Sequence, residues 1–295
     1  MNLAETLARV VCALRLPQLA RMTIGRRRAS ILLYHDPTPE TVDAHLTYLK
    51  DRYALIPLDR MVAAIRDGQF NRLQPRSLAI TIDDGHRGNR ALLEVFRRHG
   101  VVPTIYLCSQ IVGTDRHFWF LDTPDPEPLK ALPNDERLRV LAAAGFDQAA
   151  PDAAGIRQAL SYLEISELAD HFSFGGHTRF HPILPMCSDE GAADEIGMCR
   201  AELEERLQRP CIHFAYPNGD HSPRDLNLVR QAGYLSGRTT RIGWVGPRTE
   251  PYRLPILGVP DDASVTRLAA DLTGITSWLA HHWTGSIPIP VHAGR

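Results

Sequence analysis

The sequence has no excess of charge of either sign and few cysteines. Its 33 Lys+Arg and 34 Asp+Glu give a formal net charge of -1 and a pI near 6.9, so nothing in it predicts a nucleic-acid partner. The five cysteines are odd in number and include no C-x-x-C pair, which argues against a disulfide framework and a structural zinc site. We expect them to pack among apolar residues, as suits a reducing compartment.

Long apolar runs are also absent. The stretch Leu7–Leu16 is interrupted by Arg9 and Arg15, so it is too short to span a bilayer and is a poor signal-peptide core. We predict that residues 1–29 form a helical extension, which either packs on the protein or lies as an amphipathic helix on an anionic membrane surface. The expected location is therefore the cytoplasm, with peripheral membrane contact left open.

From about Ser30, short apolar runs alternate with helical patterns. Ile31–Tyr34 and Leu78–Ile82 are predicted buried strands, and helical spacing of apolar residues follows each of them. This alternation favours a parallel sheet with helices outside it, in one α/β domain over residues 30–295. The pattern fails in a segment rich in Pro, Asp and Ala, which predicts an inserted lid-like excursion near residues 114–151.

Four polar clusters each follow a predicted strand. They are Tyr34-His35-Asp36, Asp83-Asp84, His177 to His181, and Tyr216–Gly219. The carboxyl ends of the strands form the active-site face of parallel α/β folds and β/α barrels. We therefore expect the four clusters to converge in space.

The residue types in two of these clusters predict a catalytic metal. If strand geometry continues, Asp83 and Asp84 point in different directions, so one can bind a metal while the other reaches a water. On a helical turn, His177 and His181 would share one face and reach the same ion. Either pair alone is more often a cap, a solvated loop or packing, but two His and one Asp together are typical of catalytic sites. Zn²⁺ is the default metal, and Co²⁺, Ni²⁺ and Fe²⁺ are compatible.

Three motifs resemble those of the polysaccharide deacetylase family, also described as the NodB-homology domain or carbohydrate esterase family 4. Thr81-Ile-Asp-Asp-Gly85 resembles the first motif, T-F-D-D-G, and His177-Thr-Arg-Phe-His181 is similar to the second, H-[ST]-x-x-H. Phe214-Ala-Tyr-Pro-Asn-Gly219 resembles the third but lacks the arginine of the family's R-x-P-Y. The likeness extends from about Ile31 to about Val259.

This resemblance implies a distorted (β/α)7–8 barrel and a metal-dependent N-deacetylase. It implies that Asp84, His177 and His181 bind the metal and that Asp83 is the general base. The substrate and oxyanion contacts would come from Tyr216, Pro217 and Asn218, with the Asn218 backbone N–H as the oxyanion donor.

The catalytic acid implied by the resemblance is His35. Many family members supply an acid from a late L-x-H motif, whereas the corresponding strand here, Leu254–Gly258, has no histidine. Leu33-Tyr34-His35 instead resembles the first strand of permuted members that deacetylate poly-N-acetylglucosamine, in which the histidine takes that place.

The expected reaction is hydrolysis of an acetamide on an amino sugar, in a saccharide or glycoconjugate. Two alternatives remain open. The same ligands would serve a hydrolase of a non-sugar amide or imide, which substrate profiling would identify. A carbohydrate-binding relative without activity would be recognised by its failure to bind metal.

Overall fold

Eight parallel strands form the sheet of the computed structural model, which describes residues 3–152 and 155–276. The strands are β1 Ser30–Tyr34, β2 Ala54–Leu55, β3 Ser77–Ile82, β4 Thr104–Leu107, β5 Ser173–Gly176, β6 His213–Ala215, β7 Ser236–Ile242 and β8 Leu254–Gly258. Seven of them close a ring in the order β1-β8-β7-β6-β5-β4-β3, because β3 also pairs with β1, while β2 pairs with the start of β3. The predicted single-domain α/β barrel is confirmed, with seven strands in the ring. Residues 277–295, which the prediction included in the domain, lie outside the described residues.

Helices separate most of the strands. They are α1 Leu3–Ala13, α2 Leu16–Met22, α3 Pro39–Lys50, α4 Leu58–Arg66, α5 Leu93–His99, α6 Glu127–Lys130, α7 Asn134–Ala143, α8 Tyr162–Leu168, α9 Asp189–Leu207, α10 Pro223–Gln231 and α11 Val265–Asp271. Polar side chains cap several of them: Ser161 and Ser222 form capping boxes with Glu164 and Asp225, which satisfies backbone N–H groups in the first turn. None of the described helices is long and apolar enough to cross a membrane.

Strand residues alternate between the barrel interior and the helix layer. Leu32 and Tyr34 of β1 pack in the outer cluster with α3, whereas Ile31 and Leu33 pack inside with residues of β3, β8 and α4. Because successive strand side chains point to opposite faces, continuing this alternation directs His35 inward at the carboxyl end. The fold thus places polar residues that follow β1 and β3 at one mouth of the barrel.

The excursion, residues 114–151, belongs to the long connection between β4 and β5. It contains α6 and α7, and the chain returns to the barrel mouth where the Leu160 N–H donates to the Gly85 carbonyl over 2.9 Å. The excursion therefore leaves and rejoins the barrel beside the residues that follow β3.

Candidate metal centre and active site

Asp84, His177 and His181 meet at the carboxyl ends of β3 and β5. The Asp84 Oδ1 atom lies 3.4 Å from Nε2 of His177 and 3.4 Å from Nε2 of His181. All three side chains are buried, and one ligand atom from each lies within 4.8 Å of the others. The structure therefore brings together the three residues that the sequence predicted as metal ligands.

The local backbone, rather than a helix, makes the two histidines converge. The prediction that they share one face of a helical turn is wrong, since residues 177–181 form a loop after β5. Thr178 and His181 adopt left-handed conformations with φ of 67° and 58°, and Asp84 does so with φ of 69°. Such non-glycine conformations cost about 1–3 kcal/mol each and are found at functional sites.

The hydrogen bonds around Asp84 leave one ligand atom of each of the three side chains able to bind a cation. His177 Nδ1 lies 2.8 Å from the Ala215 carbonyl, which can only accept, so Nδ1 carries a proton and Nε2 is the nitrogen that can bind a metal. Asp84 Oδ1 has no hydrogen-bond partner in the part of the chain that is described. Zn–N and Zn–O bonds of about 2.0–2.1 Å at a tetrahedral angle would set two ligand atoms about 3.4 Å apart. The donor set therefore fits a divalent cation.

Burial and neighbouring groups set the charges of these ligands. Burial lowers the pKa of His181 to about 3, so its imidazole is neutral and can bind a metal. Burial alone would raise the pKa of Asp84, but the hydrogen bond from His86 and the nearby histidines hold it well below its usual value. His86 Nε2 lies 3.1 Å from Asp84 Oδ2. His86 therefore orients the carboxylate, and the sequence analysis did not identify it.

Asp83 is buried at the same end of the barrel and pairs with an arginine that the sequence analysis did not identify. Its Oδ2 accepts a hydrogen bond from Nη2 of Arg238, which lies on β7 and is fully buried. Asp83 Oδ2 is also 3.8 Å from His177 Nε2, while Oδ1 has no hydrogen-bond partner among the described residues. Arg238 thus holds the carboxylate oxygen that lies nearer to His177, while the other oxygen has no protein partner in the described part of the chain.

His35 follows β1 at the same end of the barrel. The register pairs Tyr34 with Ile82, so His35 and Asp83 are the residues that directly follow two paired strands. The backbone N–H of His35 donates to the Asp261 carboxylate over 3.0 Å, and its carbonyl accepts from Asn89 Nδ2 over 2.8 Å. These two contacts fix the backbone of a half-buried histidine at the mouth of the barrel.

The third motif contributes its backbone more than its aromatic ring. The Tyr216 ring is buried in the helix layer, and its hydroxyl donates to the Tyr252 carbonyl over 3.1 Å. Pro217 is buried beside it, while Asn218 is exposed with φ of 57°. The Asn218 carbonyl accepts from the Thr240 hydroxyl over 3.1 Å. The buried Tyr216 therefore anchors the start of the turn that contains Asn218.

Comparison with known proteins decides the family. The family model described as polysaccharide deacetylase matches residues 71–237, more than half of the chain. The chain belongs to the polysaccharide deacetylase family. No curated protein matches the sequence.

Solved structures of deacetylases share the barrel of this family member. The Streptococcus pyogenes deacetylase PplD, solved with acetate, has 17% identity and a TM-score of 0.61, over 82% of this chain and 96% of that chain. IcaB from Ammonifex degensii has 17% identity and a TM-score of 0.61, over 84% and 97%. A de-N-acetylase from Aggregatibacter actinomycetemcomitans has 12% identity and a TM-score of 0.55, over 83% and 99%. At these identities the likeness shows the shared fold.

The excursion supplies an aromatic wall for the candidate metal centre of this polysaccharide deacetylase family member. The indole N–H of Trp119 donates to the His181 carbonyl over 2.8 Å, and the Phe120 ring lies 4.6 Å from the His181 ring. The guanidinium of the fully buried Arg137, on α7, lies 4.5 Å from the centre of the Trp119 ring. The excursion therefore packs against the loop that carries His177 and His181, in which two residues have left-handed backbone conformations.

Replacing Trp119 with Phe tests this support. The ring would keep most of its packing, but the buried His181 carbonyl would lose its donor, at a cost of about 1–3 kcal/mol in the free energy of unfolding. Because partners outside the ligand set tune metal affinity, we expect Zn²⁺ to bind about 10–100-fold more weakly. Competition with a chromophoric chelator measures this, with Trp244→Phe as the matched control. Unchanged Zn²⁺ affinity in Trp119→Phe would show that the hydrogen bond from Trp119 to His181 does not contribute to metal binding.

Proposed function

We propose that this chain is a metal-dependent hydrolase that removes N-acetyl groups from an amino sugar in a saccharide or glycoconjugate. The observation that carries the proposal is the position of Asp84 Oδ1, which has no hydrogen-bond partner among the described residues and lies 3.4 Å from two histidine nitrogens, beside a second carboxylate. Membership of the polysaccharide deacetylase family supports the substrate class. A structural neighbour solved with acetate, the product of such a reaction, is consistent with it.

Asp84, His177 and His181 would hold the divalent ion, with Zn²⁺ as the first choice and Co²⁺, Ni²⁺ or Fe²⁺ as alternatives. Such an ion supplies Lewis acidity, which polarises the amide carbonyl and lowers the pKa of water to ~7. The ligand set has two neutral nitrogens and one carboxylate, which leaves positions open for water and substrate. Loss of acetate release on treatment with a chelator, and its return with Zn²⁺, would test the metal requirement.

Asp83 is the proposed general base. Its Oδ1, which has no hydrogen-bond partner in the described part of the chain, would accept the proton of the attacking water, while Arg238 holds Oδ2 and compensates the charge of a buried carboxylate. The exposed turn at Asn218 presents its backbone N–H as a donor to the developing oxyanion. His35 would then protonate the departing amine, which is otherwise a poor leaving group.

The assignment of His35 predicts a large effect on rate alone. His35→Ala is expected to lower kcat by about 10²–10⁴-fold, because the amine would leave without a positioned acid. Since His35 contributes no metal ligand in this proposal, Zn²⁺ affinity should stay as in the parent protein. Acetate release and a Zn²⁺ competition titration measure the two effects, with His171→Ala as a control. An unchanged kcat would return the role of acid to another group.

A hydrolase of a non-sugar amide or imide remains the rival, because the same three ligands would serve it. Acetate release over a panel of N-acetylated saccharides and small amides separates the two. Turnover of the saccharides alone supports the proposal, and turnover of the small amides alone contradicts it. An inactive carbohydrate-binding relative is disfavoured, since such a protein needs neither a buried Asp–Arg pair nor three converging ligand groups.

A further inference from the structure

Exposed apolar side chains are concentrated near the N-terminus. Among the described residues, half of the large hydrophobic side chains that are exposed lie between Leu3 and Ile24. They are Leu3, Val10, Leu14, Leu19, Met22 and Ile24. Single exposed apolar residues are ordinary, but a cluster of this kind marks an interaction site.

The helix geometry places these side chains together. Ala8 and Val11 of α1 are buried against Ala270 of α11, which fixes the orientation of the helix. Val10 and Leu14 are four residues apart, and the Leu14 N–H donates to the Val10 carbonyl over 3.0 Å just after the end of α1, so their side chains form one stripe that the described residues leave exposed. Leu14 is 65% exposed, and Met22, on α2, is 61% exposed. The α1–α2 surface, residues 3–28, thus presents an apolar stripe away from the protein.

The charged residues of the same surface are almost all positive. Residues 3–28 contain six arginines and a single acidic residue, Glu5, whose carboxylate accepts from the Ser264 hydroxyl over 2.7 Å. Arg15, Arg26 and Arg27 are exposed. The whole chain has 33 Lys+Arg and 34 Asp+Glu, so the rest of the protein is net acidic. The basic charge is therefore local to the apolar stripe.

We propose that the α1–α2 surface docks on an anionic phospholipid membrane. An amphipathic helix with arginines beside an apolar stripe binds the interface by burying the stripe among acyl chains, while the guanidinium groups contact lipid phosphates. A second copy of the chain is a poorer occupant, since a symmetric contact through this surface would oppose like charges. Docking here would hold the barrel at the membrane surface, independently of the reaction that it catalyses.

Vesicle sedimentation with the full chain tests the docking. We expect binding to vesicles of an equal mixture of phosphatidylglycerol and phosphatidylcholine, little binding to phosphatidylcholine alone, and weakening by salt. Replacing Arg15, Arg26 and Arg27 with Gln should lower the partition coefficient on the order of 100-fold, since each such charge contributes about a factor of five. Equal binding to both vesicle types, or none to either, would overturn the proposal.

The apolar half of the surface has a matched control. The combination Val10→Ser, Leu14→Ser and Met22→Ser should weaken vesicle binding by roughly 10-fold or more. The combination Val140→Ser, Leu163→Ser and Met198→Ser, at exposed positions elsewhere, should leave it unchanged. Both triple variants should keep the circular dichroism spectrum and the acetate release of the parent on a soluble substrate. If the first combination instead dissolved a dimer seen by light scattering and left vesicle binding intact, the surface would be a protein interface and the proposal would be wrong.

Discussion

Asp83→Asn is expected to lower kcat by about 10²–10⁴-fold while the protein still binds Zn²⁺. The amide keeps the shape of the side chain but cannot accept a proton from water. The three predicted metal ligands are untouched, so the metal content should remain close to that of the parent. Acetate release under saturating substrate and metal analysis of the purified protein measure the two quantities.

A double variant separates the loss of the base from the loss of a buried ion pair. Asp83→Asn leaves the guanidinium of Arg238 buried without its charge partner, which typically costs 3–5 kcal/mol in the free energy of unfolding, as an order of magnitude. Adding Arg238→Gln removes the orphaned charge and should restore part of the stability without restoring kcat. Recovery of turnover in the double variant, or full activity in Asp83→Asn alone, would contradict the role of Asp83 as base.

His177→Ala and His181→Ala are each expected to abolish acetate release through loss of the metal. Removing one of three protein ligands should weaken Zn²⁺ binding by more than the roughly 10–100-fold that loss of an outer partner causes. His86→Ala provides the internal standard, because His86 Nε2 lies beside Oδ2 of Asp84 and not beside the proposed ligand atom Oδ1, so this variant should fall within that smaller range. Competition titrations of the three variants measure the order.

A reversed order of Zn²⁺ affinities among these variants would identify a different set of metal ligands. If His86→Ala lost the metal and His181→Ala kept it, His86 would replace His181 at the ion. His181→Ala also removes a buried imidazole that is neutral at ordinary pH, so its unfolding should be compared in the presence of chelator to separate packing from metal binding.

The strands and the convergence of their polar ends were predictable from the sequence. A short apolar run followed by polar residues predicts a buried strand and marks its carboxyl end. In a parallel fold the carboxyl ends of the strands lie at the same end of the sheet, so the polar residues are expected to lie together. This reasoning placed Asp83, Asp84, His177 and His181 at one mouth, where the structure has them. The assigned chemical roles stay predictions.

Contacts between distant parts of the chain were not predictable in this way. Arg238 reaches Asp83 across the barrel, and its strand, beginning Ser236-Gly-Arg, has no motif that distinguishes it. The third motif lacks the family's arginine, which was the one sign that another arginine could pair with Asp83. The sequence does not indicate which arginine takes that position. The contact of Trp119 with His181 was also not predictable, because the excursion has no regular spacing of apolar residues from which packing could be inferred. The helical turn proposed for the histidine pair failed because spacing alone cannot reveal the left-handed backbone at Thr178.

The contact between Trp119 and His181 joins the inserted segment to a residue of the candidate metal site. If the folded excursion strengthens metal binding, thermodynamic reciprocity requires that the metal stabilise the folded excursion by the same free energy. Backbone amides of α7 should then exchange with deuterium more slowly when Zn²⁺ is added, although this helix supplies none of the proposed ligands. Metal supply would in that case determine how well the excursion resists proteolysis as well as how fast the barrel catalyses.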